Sequence, residues 1–294
     1  MKEILSAFSV LVLLAARLYG QAGGVTVELS LEQEQFLPNE DLRVAVRISN
    51  LSGQTLRLGA DADWLTFNVE AVDKNVVSKL GEVPVQGEFT LATTQAGTKR
   101  VNLTPYFNFR PQGRYQVTAT VKVPQWKQAI SSPPKRFDII NGTKLREIEF
   151  GVPLLPGASG RPEVRKYVLQ RATYLKQLKL YVRLTDVSGA KTFKVMALSP
   201  MVSFGEPETQ LDQSANLHVL NQNGARTFHY CVINPEGEML ARQTHEFSST
   251  RPKLALDETG KISVQGGTQR PGATDFPAAA PTNSTHVSEK TIAP

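Results

Sequence analysis

The chain has 294 residues, 33 of them basic and 27 acidic, and carries a formal net charge of +6. That excess is too thinly spread to mark a nucleic-acid-binding protein, and with one cysteine, Cys231, no intramolecular disulfide can form. A disulfide-stapled scaffold is therefore excluded; stability has to come from packed cores, and the length allows two ordinary domains.

The chain opens MKEILSAFSVLVLLAARLYGQAGG, with Lys2 ahead of a mostly apolar run, residues 4–16, that ends in small and polar residues. This is the three-part pattern of a secretory signal peptide, and the apolar run is short for a bilayer-spanning helix. Residues 1–22 are expected to be removed, with cleavage after Ala22 or after Gly20. The mature protein is expected to be exported, periplasmic or extracellular, with no membrane span and no nucleic acid among its partners. Four N-x-S/T sequons begin at Asn50, Asn102, Asn141 and Asn283.

Residues 23–142 read as strand and turn throughout. In GRYQVTATVKVP, Tyr115, Val117, Ala119, Val121 and Val123 fall on one face, and Gln116, Thr118, Thr120 and Lys122 on the other. LRVAVRISN alternates in the same way, and WLTFNVEAV and FDII add two more strands. The turn formers PNED, LSGQ, PVQG and PQG lie between them. Short amphipathic strands at this spacing bury their dry faces most simply as two packed sheets. Trp64, Trp126, Tyr106 and Phe107 are expected in the core or at sheet edges.

The segment VNLTPYFNFRPQGRYQVTATV, in which a glycine turn leads to Tyr115 and an alternating strand, resembles the penultimate region of immunoglobulin-like and fibronectin-like modules. The resemblance implies an immunoglobulin-like β-sandwich in which the tyrosine secures the Greek-key crossover. The disulfide pair common in such modules is absent. The layout as a whole resembles exported bacterial β-rich proteins of uncharacterised function.

A Gly/Pro-rich bridge, GTKLREIEFGVPLLPGASGRP, leads into a second antiparallel β-domain, residues 143–267. In PEVRKYVLQRATYLKQLKLYVRLTD, Val164, Val168, Ala172 and Leu175 recur at helical spacing behind Pro162, whereas Leu178, Leu180, Val182 and Leu184 alternate as a strand. The first half is helix or strand; the surrounding β pattern favours strand. KTFKVMAL, NLHVLN, TFHYCVIN, MLARQTHEF and KISVQG follow, with a strong hairpin signal at Asn223-Gly224. They form a meander, a second sandwich or a propeller-blade-like sheet. Residues 268–294, dominated by proline, alanine, serine and threonine, are expected to be a disordered tail.

Residues 217–250 hold three of the four histidines and Cys231. His229 and Cys231 point to the same side of one strand, and His218 and His245 could join them in a zinc or copper site. Phe228, Tyr230 and Val232 make the other face apolar, so the strand is central and Cys231 reads as a small buried hydrophobe. With no CxxC, HxH or HExxH, no metal site is expected, and with no GxGxxG, phosphate loop or calcium loop, no cofactor. Ser159, in PGASGRP, lacks the setting of a nucleophile elbow.

From Arg161 to Lys194 there are nine Lys/Arg against Glu163 and Asp186. Within this stretch Lys179, Tyr181 and Arg183 interleave cation and ring on one strand face, and they are the candidate ligand-binding residues. The expected function is that of a non-catalytic binding or structural protein of the cell envelope or extracellular matrix. Its partners would be protein or an anionic polymer such as an envelope polysaccharide. The rival is a secreted glycan or peptide hydrolase with loop-borne carboxylates among Glu206, Glu208 and Asp212.

Overall fold

The structure is a computed structural model and describes residues 24–72, 76–109, 111–153 and 162–276. The expected signal peptide, Ser159 and residues 277–294 lie outside the described residues. Among those described there is no α-helix; two short 3-10 turns, Thr104–Tyr106 and Pro124–Trp126, interrupt an all-β chain. No helix among them is long and apolar enough to cross a membrane. The chain divides into two compact units, Met1–Ile140 and Asn141–Pro294.

The first unit contains β1 (Val25–Leu31), β2 (Gln35–Phe36), β3 (Arg43–Asn50), β4 (Leu56–Leu58), β5 (Leu65–Ala71), β6 (Phe89–Leu91), β7 (Ala96–Asn102), β8 (Gly113–Val123), β9 (Gln128–Ser131) and β10 (Lys135–Ile139). One sheet runs β1-β3-β7 and a second β2-β10-β8-β5, with β9 on β8 and β4-β6 as a separate ribbon. Among the described strands, only β2 and β10 pair in parallel. In β8 every second residue from Tyr115 to Val123 is buried, as the alternation requires. These residues meet Val25, Val27, Val44, Val46 and Ile48 of the other sheet in one core. Each fully buried Val or Leu there contributes about 1.5–3 kcal/mol relative to exposure.

Tyr115 stacks on Phe137, with ring centroids 5.5 Å apart, and its hydroxyl donates to the Pro111 carbonyl at 2.7 Å. A tyrosine bonded to backbone a few residues upstream is the corner device of immunoglobulin-like sandwiches. With the two-sheet strand order, it is consistent with the arrangement the resemblance implies. Trp64 is fully buried, its indole N–H donating to the Val85 carbonyl at 2.8 Å. Asn50, the first sequon, is also fully buried, and its Nδ2 donates to the carbonyls of Gln54 and Leu91.

The second unit contains β11 (Thr143–Gly151), β12 (Val164–Tyr174), β13 (Gln177–Asp186), β14 (Thr192–Pro200), β15 (Glu208–Leu211), β16 (Leu217–Gln222), β17 (Thr227–Ile233), β18 (Met239–Glu246), β19 (Lys253–Leu256), β20 (Ile262–Gln265) and β21 (Thr268–Gln269). The stretch open to helix or strand is β12. Two meanders, β11-β12-β13-β14 and β15-β16-β17-β18-β21, form two antiparallel sheets. Tyr167, Leu169, Leu180, Val182 and Leu184 of the first share a core with Leu217, Val219, Cys231 and Ile233 of the second. Of the three architectures left open, the sandwich is realised. Tyr167 ties the sheets together, its hydroxyl donating to the Ala215 carbonyl at 3.2 Å.

The outer face of the second sheet is not left to solvent. Leu220, Phe228, Tyr230, Val232 and Ala241 pack there against Leu254 and Ile262 of the β19-β20 ribbon.

One expectation is corrected at residues 268–276. They are ordered: β21 pairs with β18, and Arg242 and Phe276 exchange backbone hydrogen bonds. The Asp275 carboxylate accepts from the Thr244 backbone N–H at 2.7 Å and the Thr244 hydroxyl at 2.9 Å. Composition does not reveal such a segment, because it is held to the edge of β18 by backbone groups, the Asp275 carboxylate and an Arg270–Glu246 ion pair instead of an apolar core.

Candidate functional site

The strand β17, TFHYCVI, has buried residues on both faces. His229, Cys231 and Ile233 alternate with Phe228, Tyr230 and Val232. Cys231 and Ile233 enter the core between the sheets, while Phe228, Tyr230 and Val232 face the ribbon. The register places His218 opposite Val232, and His245 opposite Phe228. His218 and His245 therefore flank Tyr230 on the ribbon side, and His229 lies on the other. The sheet itself divides the ligand set that His229, Cys231, His218 and His245 would need. Among the described residues no group of three His, Cys, Asp or Glu side chains could hold a metal. Burial pushes the Cys231 thiol up to about 11, with Arg242 opposing, so it stays protonated at neutral pH.

Between the outer sheet face and the β19-β20 ribbon is a cleft of about 930 Å³. Its centre is a chain of three groups. The Nδ1 of His218 lies 2.6 Å from the Tyr230 hydroxyl, and its Nε2 lies 3.2 Å from Asp212 Oδ2. A carboxylate only accepts, so Nε2 carries the proton, and Nδ1 accepts from the Tyr230 hydroxyl. Asp212 follows β15 directly and organises the turn into β16. Its Oδ1 accepts from the backbone N–H groups of Ser214 and Asn216, both at 2.9 Å, and its Oδ2 also accepts from Asn216 Nδ2 at 2.8 Å. Burial works against this charge, yet the bonds from Asn216 and His218 hold the carboxyl below the usual carboxylate range.

Burial lowers the pKa of His218, Asp212 pulling the other way, and burial likewise lowers that of His245. Burial, with Asp212 and Cys231 nearby, pushes the Tyr230 phenol up to about 12. At neutral pH the centre is thus a fixed carboxylate, two neutral imidazoles and a neutral phenol. The His245 ring meets Tyr230 edge-on, centroids 6.4 Å apart, and its Nε2 lies 3.4 Å from Gln243 Oε1. Ser263, Lys261 and Gln269 line the cleft from the ribbon and β21, over an apolar strip of Val232, Leu240, Ile262 and Val264.

The residues expected to bind ligand lie elsewhere and do not form a free strip. Tyr181 is fully buried. It lies between Gln170 of β12 and Ala197 of β14, and Arg183 lies between Val168 and Val195, both buried. The face read as solvated is covered. Lys179 sits 3.6 Å from the centroid of the Tyr174 ring, and Arg183 Nη2 donates to the Gly189 carbonyl at 3.3 Å. Of the acidic residues, Glu208 accepts the backbone N–H of Leu254 at 2.9 Å and so pins β19 to β15. Glu206 lies in the loop before β15, and Asp212 belongs to the cleft.

No family model and no curated protein matches the chain. Among solved structures it is similar to the sporulation control protein Spo0M from Bacillus subtilis, at 9% identity and a TM-score of 0.31, over 55% of this chain and 80% of that one. At that score the likeness carries no inference about this protein.

Proposed function

We propose that the chain is an exported, non-catalytic binding protein of the cell envelope or extracellular matrix. Its site is the cleft over the outer face of β16, β17 and β18, and its partner is an envelope polysaccharide or a protein. The observation that carries this reading is the cleft itself: its volume is near the upper end of the range for ligand pockets, about 300–1,000 Å³, and it combines an apolar strip with a few fixed polar groups. The hydrolase reading fits these groups less well. A general acid needs a carboxyl raised toward neutrality, whereas that of Asp212 is held low, and Glu208 is engaged with backbone. The burial of Tyr181 removes the exposed basic and aromatic strip that favoured an anionic polymer.

The test pairs retention with turnover. The purified mature protein is passed over immobilised envelope extract and soluble glycans, and the same glycans and extract peptides are assayed for new reducing ends or amines. Retention without turnover is expected. Turnover lost in Asp212→Asn would replace this reading with the hydrolase.

A further inference from the structure

We infer that the cleft takes a neutral, hydroxyl-rich saccharide segment; this rests on the reading of the cleft as the binding site. The floor is the face of β17, which pairs with β16 on one side and β18 on the other. Its backbone donors and acceptors are used within the sheet, so an extended peptide cannot add to β17 as a strand, and recognition on the floor falls to side chains. The polar side chains that reach the cleft are chiefly neutral amides and hydroxyls, among them Gln243, Ser263 and Gln269. Each both donates and accepts, as sugar hydroxyls do. A Gln243 carboxamide that accepts from His245 keeps its NH₂ as a donor.

Charge points the same way. Among the described residues that line the cleft, Lys261 is the one cation and Asp212 the one carboxylate. A phosphate or uronate would meet that carboxylate and two imidazoles that burial keeps neutral. The apolar strip under these groups suits the C–H face of a pyranose ring, which is itself polar at the rim and apolar across the face.

The test titrates the purified protein, followed by amide NMR shifts, with three probes: neutral gluco- and chito-oligosaccharides, oligogalacturonates, and an unstructured peptide mixture. The expected result is that a neutral oligosaccharide shifts the amides of β17, β18 and β20. Its affinity should fall about tenfold in both Gln243→Leu and Gln269→Ala, as for one lost ligand hydrogen bond. Gln269 is exposed, so that variant cannot fail through loss of the core, and slow reaction of Cys231 checks the fold of both. Binding of the galacturonate or the peptides, sensitive to Gln243→Leu, would overturn the saccharide class and keep the cleft as the site. Failure of every probe to shift the cleft amides would overturn both.

Discussion

His218 is under two opposing influences. The Asp212 carboxylate stabilises an imidazolium, while burial favours the neutral ring; burial prevails. His229 and His245 are lowered for the same first reason, and Asp275 opposes it in each case. A histidine depressed in the folded state makes the unfolded chain the better proton acceptor. Stability is therefore full above the unfolded value, about 6.5, falls as pH drops below it, and levels off once the folded state also protonates. The depressed carboxyls of Asp212 and Asp275 act in a lower window, adding their loss only below about pH 4. Urea midpoints are accordingly expected to fall steadily from about pH 7 to pH 5, with a shallower slope in His218→Asn. A flat midpoint across that range would show that these rings are not held neutral.

At the scale of elements, period-two alternation made most strands legible, because burying one face fixes which residues point inward. It could not show whether the second face is covered. Lys179, Tyr181 and Arg183 alternate like a wet face, but β13 lies inside a four-stranded sheet beside buried Val168 and Val195. The cleft was hidden by a turn. A two-residue turn at Asn223-Gly224 would pair Gln222 with Ala225 and carry His218 opposite His229. The observed pairing is Gln222 with Phe228, an odd shift of three residues, which turns His218 to the Tyr230 side. Of the ribbon over the cleft only β20, within KISVQG, was legible as a strand; β19 was not, and its anchor, the Glu208 carboxylate on the Leu254 N–H, joins residues 46 positions apart. Glu208→Ala should loosen this ribbon and leave the sheet intact, at a cost of about 1 kcal/mol. Hydrogen exchange should then speed up in β19 and β20 while β16 and β17 keep their protection. Equal acceleration in all four strands would mean that Glu208 supports the whole sheet.

The whole molecule carries its own reporters. Both tryptophans, Trp64 and Trp126, lie in the first unit, and the one cysteine, buried Cys231, lies in the second. Each unit has its own apolar core, the condition for separate folding. Tryptophan emission and thiol reactivity in urea therefore follow different units, and two variants can address them one at a time. Tyr115→Phe removes the bond to the Pro111 carbonyl in the first unit, and Tyr167→Phe removes the bond to the Ala215 carbonyl in the second. Each should cost about 0.5–1.5 kcal/mol, the net worth of one such hydrogen bond. If the units fold independently, Tyr115→Phe moves only the emission midpoint and Tyr167→Phe only the onset of thiol labelling. If either variant moves both curves equally, the chain unfolds as one cooperative body, because a shared transition responds to a loss anywhere within it.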